Sequence, residues 1–158
     1  MRRSAHIQLR QGRLFVTSWS ATAGRYPAFI QDEFAEAATE DVADEELGAL
    51  ARRALAASRD GVPYPDFRND PEPARRRKTL FKLAGVRSET EFERTTKTVS
   101  ISWQDTDPEM RITPYRNAGR RQGFTQMLEQ VITVNANADD DSLGAAVRQA
   151  LMVATAGS

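Results

Sequence analysis

The chain has 158 residues, of which 40% are hydrophobic, and 22 basic side chains balance 22 acidic ones. This length and hydrophobic content suit one folded domain, residues 1–158, and the charge balance argues against binding nucleic acid or membranes through overall charge. The absence of cysteine excludes disulfide bonds, thiolate metal sites and thiol nucleophiles, as expected in a reducing cytoplasm. No apolar run reaches the length of a membrane span, and the residues after Met1 are too polar for a secretory signal.

The first predicted element is a β-hairpin. Residues 6–10 and 13–19 flank Gln11 and Gly12, and glycine supplies the positive φ of a tight turn. Further along, Ile30 and Phe34 lie one helical turn apart, and this spacing predicts that residues 27–37 are helical.

One sequence pattern occurs twice, 96 residues apart. Six of nine positions are identical between residues 47–55 (LGALARRAL) and residues 143–151 (LGAAVRQAL). Each copy follows an acidic stretch, which suits the positive end of a helix dipole, and its apolar residues recur at helical spacing, so we predict two amphipathic helices. A shared alanine-rich composition is the alternative explanation of the likeness.

Both copies carry glycine at their second position, Gly48 and Gly144. Glycine inside a helix costs about 1 kcal/mol relative to alanine. Its presence at the same place twice therefore predicts that a backbone packs closely there, and we expect the sheet to be that neighbour.

Between the two copies the signals alternate. Five glycine and proline residues predict a surface loop over residues 59–73, and Gly85 is suited to end a helix over residues 74–84. Residues 95–103 alternate apolar and polar side chains as a half-buried strand does, and residues 110–115 are the predicted antiparallel partner. A polar loop at 119–123 and a last strand within 127–134 lead into the second copy.

These elements predict an α/β (α+β) fold in a single domain. We expect a central, mostly antiparallel sheet with flanking helices, built from two similar strand–helix units.

Catalytic chemistry finds little support in the sequence. His6 is the only histidine, and we expect it at the surface; no serine lies in a nucleophile elbow. Asp105, Asp107 and Glu109 are spaced like the start of a calcium loop, but the glycine and distal glutamate of an EF-hand are absent. No phosphate-binding glycine motif occurs. We therefore expect no catalytic residues, no metal and no cofactor.

Local charge is uneven. Basic clusters at residues 75–78 and 111–121 are the basis of an alternative function, a nucleic-acid-binding or regulatory module, although few aromatic residues are interleaved with them. Eight carboxylates and no cation lie between Asp32 and Glu46. This acidic segment fits either a solvated loop and helix start or a landing site for a basic protein.

The order and spacing of these segments carry a family resemblance. An acidic helix at residues 44–56, the strand TVSIS at 98–102, and VITVNA at 131–136 before the second repeated helix occur in this order. In this order the chain resembles the immunity proteins of bacterial contact-dependent growth inhibition systems, the CdiI type once catalogued as a domain of unknown function. It departs from that pattern by a proline-rich loop at 59–73 and an enlarged segment at 114–126, and in such variable loops we expect partner choice to be determined.

The resemblance implies a small cytoplasmic protein that has no enzymatic activity and neutralises the C-terminal domain of a cognate toxin, commonly a nuclease, by binding it. Nucleic acid and membranes are not implied as partners. Some such immunity proteins accept a β-hairpin of the toxin onto their sheet, where backbone hydrogen bonds hold the guest. We expect the hairpin at residues 96–115 to offer that edge. Exposure and side-chain chemistry predict six contact residues, although Trp103 fits the core equally well: Trp103, Asp105, Asp107, Glu109, Arg111 and Tyr115.

Overall fold

The structure, a computed structural model, describes residues 1–118 and 123–156. Its strands are β1 (Arg2–Arg10), β2 (Arg13–Thr22), β3 (Phe29–Thr39), β4 (Asp60–Val62), β5 (Lys97–Gln104), β6 (Glu109–Asn117), β7 (Phe124–Gln126) and β8 (Ile132–Asn135). Its helices are α1 (Asp44–Ala57), α2 (Glu72–Ala84), α3 (Glu89–Thr95) and α4 (Asp140–Val153), with a 3₁₀ turn at Leu128–Gln130.

The strands form one sheet in the order β3-β2-β1-β5-β6, and β6 pairs with β8 along its first half and with β7 along its second. Every strand pair in the described part of the chain is antiparallel except that of β4 with β2. The predicted fold, a mostly antiparallel sheet with flanking helices, is confirmed. The expectation that β5 and β6 form a sheet edge is wrong, because β1 pairs along the whole of β5 and β7 and β8 cover β6.

Turn chemistry decides several element ends as predicted. Gln11 (φ 49°) and Gly12 (φ 75°) both adopt left-handed backbone, which is the geometry of a two-residue hairpin turn between β1 and β2. Gly85, with φ 68°, ends α2 as its C-terminal cap.

The helix predicted over residues 27–37 is wrong, because this segment is the edge strand β3. Its pairing with β2 shifts register between Thr17 and Trp19, and the extra residues of β3 form a bulge. The four-residue spacing of Ile30 and Phe34 therefore occurs here within a bulged strand and not in a helix. The short helix α3 was not predicted, and the last predicted strand is divided between the 3₁₀ turn and β8. Most of the predicted loop at 119–123 lies outside the described residues.

Both faces of the sheet are covered, but by different layers. Helices α1 and α4 pack on the face that carries Ile7, Val16 and Ile101, which forms the main core. Phe15 points the other way and packs with Leu80 of α2 and with α3. We call the face covered by α1 and α4 the α1/α4 face, and the opposite face the α2 face.

The two repeated helices pack directly on each other. A Cβ added at Gly48 would lie 1.8 Å from the carbonyl oxygen of Asp140, and one added at Gly144 would lie 1.8 Å from that of Asp44. The prediction of a close backbone approach is confirmed, but the neighbour is the other repeated helix and not the sheet. Each glycine admits the first turn of the opposite helix, so the contact requires glycine in both copies.

Other contacts repeat with the same spacing of 96 residues. Two arginines bond across this contact to matching acceptors: Arg52 to Asp140, Ala136 and Ala138, and Arg148 to Asp44, Glu40 and Val42. At the centre of the sheet, Ala5 pairs with Ile101. The two predicted strand–helix units are thus related by a pseudo-two-fold axis between β1 and β5, which shared composition alone does not explain.

Candidate functional site

A cavity of about 760 Å³ opens on the α2 face, between the start of β3, the loop after β4 and the first turns of α2. Trp19 of β2 lines it from the sheet. Its rim carries three exposed aromatic side chains, Tyr64 (65% exposed), Phe67 (60%) and Phe29 (39%). Concave sites of this size lined by aromatic side chains are typical of binding sites, because exposed rings gain most from being covered.

The loop at residues 59–73 is predicted correctly as irregular, apart from β4 and the first two residues of α2, and hydrogen bonds hold it in place. The backbone N–H of Ala23 donates to the carbonyl of Val62 at 2.8 Å, which attaches the loop to the end of β2. The Asp66 carboxylate accepts hydrogen bonds from the backbone of Arg68 (3.1 Å) and the side-chain amide of Asn69 (2.7 Å). These bonds close a local turn that holds Tyr64 and Phe67 edge to face, with 5.7 Å between ring centroids.

An aromatic row extends the cavity across the sheet. The His6 ring stacks on Trp19 with 4.2 Å between centroids, and Tyr115 lies 6.1 Å from His6 on the other side. The expectation of a surface histidine is wrong, because His6 is half-buried between these rings. Burial, helped by the nearby charge of Arg77, lowers the pKa of His6 from 6.5 to about 3, so the imidazole is neutral at physiological pH.

Three arginines line the cavity, and each is already paired with a carboxylate: Arg59 with Asp32, Arg76 with Glu33 and Arg77 with Glu89. Two acidic residues of the lining, Asp66 and Asp70, form no ion pair within the described part of the chain. Asp70 instead accepts the backbone N–H of Glu72 at 3.0 Å. The uncompensated charge of the lining is therefore negative.

Asp32 is the most buried of the acidic segment, with 5% of its side chain exposed. Burial alone would raise the pKa of Asp32, but hydrogen bonds from Arg59, Ser20 and the Glu33 backbone outweigh it, so the pKa lies below its ordinary value. This carboxylate therefore holds the end of α1 and the start of β3 together.

The six predicted contact residues lie on both sides of the sheet. Trp103 packs against the α1/α4 core and, with Asp105, lines a smaller cavity of about 290 Å³; its indole N–H bonds to the carbonyl of Asp107 at 3.0 Å. Arg111 and Tyr115 lie on the α2 face, where Tyr115 joins the aromatic row. Glu109 and Asp107 are exposed near the turn between β5 and β6. As one contact surface the set remains a prediction, and Tyr115 alone joins it to the large cavity.

The charged segments seen in the sequence largely neutralise each other. Arg75, Arg76 and Arg77, three of the four residues of the first basic cluster, form ion pairs with carboxylates, two of them with Glu33 of the acidic segment. This pairing removes most of the charge that the alternative nucleic-acid function requires from that cluster. Four residues of the acidic segment keep no ion pair within residues 1–118 and 123–156, and all lie near the start of α1: Glu40, Asp41, Glu45 and Glu46.

Within the described residues, no group of three or more histidine, aspartate or glutamate side chains is arranged to hold a metal ion. None of the helices in the same residues is long and apolar enough to cross a membrane.

Residues 3–154 match the family model described as CDI immunity protein, CdiI. The chain belongs to this family. Among curated proteins, none matches the sequence.

Two solved structures share the fold of this CdiI family member. A protein of unknown function from Neisseria meningitidis is 18% identical with a TM-score of 0.79, and the alignment covers 98% of this chain and 96% of that one. A toxin and immunity complex, CdiA-CT/CdiI from Yersinia pseudotuberculosis, contains a chain that is 16% identical with a TM-score of 0.78; the alignment covers 96% of this chain and 97% of that one. At such identities the likeness concerns the fold.

The sequence predicts part of the cavity. The loop at 59–73, predicted as a departure from the family pattern, supplies Tyr64, Phe67 and Asp66. Trp19 and Phe29 are not predicted, because the strand pairing that places them beside the loop is not visible in local sequence. The signal that the sequence offers is the position of Phe29, Tyr64 and Phe67, which all lie close to prolines or turn residues.

Proposed function

We propose that this CdiI family member neutralises a toxin domain encoded next to it by binding the domain directly, and that the large cavity and its aromatic row are the contact surface. Membership of the immunity family supports the role. The observation that carries the location is the exposure of Tyr64 and Phe67, at 65% and 60%, around a cavity of about 760 Å³. Large aromatic side chains are the residues that most often supply binding energy at protein interfaces.

Strand addition, if the toxin uses it, needs a sheet edge. The hairpin at residues 96–115 does not provide one, since β1, β7 and β8 pair with its strands. In the described part of the chain no strand pairs with the outer edge of β3, whose first residues, Phe29 to Gln31, line the cavity. A guest strand on β3 would therefore place alternate side chains in the cavity, which combines backbone bonding with side-chain selection.

We further propose that the toxin is a nuclease and that this chain inhibits it in the cytoplasm without catalysing a reaction. Nucleases bind polyanions and tend to carry positive charge. The carboxylates of Glu40, Asp41, Glu45 and Glu46, which form no ion pair with any described residue, would attract such a partner and accelerate its association. This attraction concerns the rate of encounter, whereas the cavity supplies the specific contacts.

The test is co-expression with the C-terminal domain of the large protein encoded immediately upstream. Survival of the cells together with a co-purifying one-to-one complex supports immunity by direct binding. A harmless upstream domain, or one that kills in the presence of this chain and does not co-purify, contradicts the proposal.

Variants of exposed residues test where on the protein the toxin domain binds. Tyr64→Ala together with Phe67→Ala should weaken binding by at least about tenfold, because both rings would be covered in the complex. Met152→Ala is the matched control, since Met152 is 82% exposed on α4 and does not line the cavity. Asp107→Lys tests the contact set read from the sequence: a larger effect here than at Tyr64 and Phe67 would move the interface to the turn between β5 and β6.

A further inference from the structure

We propose that the cavity anchors a basic side chain, arginine or lysine, of the bound partner. The inference rests on the proposed function and adds the chemistry of the group that enters the cavity. The guanidinium group of arginine or the ammonium group of lysine would lie between aromatic rings, with carboxylates beside it.

The aromatic part of this anchor is already in place. Tyr64 and Phe67 stand edge to face, 5.7 Å apart, and leave most of their ring surface open. Trp19 lines the same cavity from the sheet. The faces of aromatic rings carry partial negative charge, so a cation placed over them is attracted, and tryptophan and tyrosine are the strongest partners. The protein's own arginines already use this contact elsewhere, as Arg77 lies 5.1 Å from the ring centroid of Phe81.

The charges of the lining favour a cation over a neutral apolar group. Ion pairs within the chain engage the cavity's arginines, and Glu72 pairs with Arg75. Among the described residues, Asp66 and Asp70 are bonded only by donors without charge. Arg68 follows Asp66 closely in the chain but does not line the cavity. A bound basic side chain would thus supply the positive charge that the lining lacks.

Both carboxylates can be neutralised with little change in shape. In Asp66→Asn and Asp70→Asn the remaining carbonyl oxygen can still accept the backbone N–H of Arg68 or of Glu72, so the loop and the start of α2 should remain folded. Each variant should weaken binding of the upstream-encoded toxin domain by about threefold to tenfold. The matched control is Glu129→Gln, an exposed carboxylate outside the cavity, with an expected change below about twofold.

A second measurement needs no toxin. The free protein, labelled with ¹⁵N, is titrated with N-acetyl-arginine amide and, separately, with N-acetyl-norleucine amide at millimolar concentration. The arginine amide should shift the amide resonances of Tyr64, Asp66 and Phe67, the norleucine amide should shift them much less, and the Asp66→Asn, Asp70→Asn double variant should lose the difference.

The outcomes separate the two proposals. If the toxin domain binds the wild type and the Asn variants bind equally well, the cationic anchor is wrong while the proposed function stands. If the toxin domain does not bind, the proposed function fails, and the amide titration still decides the chemistry of the cavity. Equal shifts with norleucine amide, or no shifts with arginine amide, overturn the anchor.

Discussion

Replacing Gly144 by alanine tests the contact between the two repeated helices. The new Cβ would lie 1.8 Å from the carbonyl oxygen of Asp44, whereas ordinary contacts lie at 3.4 to 4 Å, so α1 and α4 must separate by about 1.5 Å. The atoms that the new Cβ would meet belong to the backbone of Asp44, which cannot rotate away as a side chain can. The same separation lengthens the hydrogen bonds of Arg52 and Arg148, which cross this contact.

Two effects of opposite sign set the size of the change. Overpacking a tight contact costs about 1–3 kcal/mol and at times more. Alanine is a better helix former than glycine, which stabilises the folded state by about 1 kcal/mol. With the weakened arginine bonds included, we expect the free energy of unfolding to fall by about 2–4 kcal/mol, which in a chain of this length lowers Tm by roughly 5–15 °C.

The assay is urea and thermal unfolding followed by circular dichroism. Gly48→Ala should destabilise to the same extent, and the double variant should lose less than the sum, because the first substitution has already separated the helices. Ala145→Gly, at an exposed position of α4, measures helix propensity alone and should cost about 1 kcal/mol. Unchanged or increased stability of Gly144→Ala would refute the reasoning, because that is the result of propensity without the contact.

Two further predictions concern stability. The unfolded chain protonates His6 near pH 6.5 and the folded one only near 3, so the free energy of unfolding should fall as pH drops below about 6.5, by about 1–2.5 kcal/mol between pH 7 and pH 4.5. His6→Phe should flatten this slope in urea titrations at the two pH values, and an unaltered slope would exclude His6 as its source. Arg52→Ala and Arg148→Ala should cost similar amounts, about 1–3 kcal/mol each, while Arg53→Ala, which removes an exposed pair with Glu36, should cost below about 1 kcal/mol. Clearly unequal losses at Arg52 and Arg148 would contradict the pseudo-two-fold relation.

Some features of this protein follow from residues that are close in the sequence. Gln11 and Gly12 determine the first hairpin, since their backbone conformation makes the turn. Acidic residues in the first turns of α1 and α4 and Gly85 after α2 mark helix ends, and alternation across residues 98–103 gives the faces of β5. The periodicity of the repeat shows two helices of the same kind, and its glycines indicate that something packs closely against them.

Other features depend on which distant segments meet, and only the tertiary structure decided them. Ile30 and Phe34 have helical spacing, yet pairing with β2 and a bulge make their segment a strand. The basic cluster and the acidic segment appear in the sequence as two opposite surfaces, but α2 lies against β3 and their charges pair. The cavity likewise needs Trp19 of β2, Phe29 of β3 and Tyr64 of the loop after β4. Local sequence determines turns, helix ends and side-chain faces, because these depend on neighbouring dihedral angles. Which charges remain free and where a cavity opens depend on contacts between residues far apart in the chain.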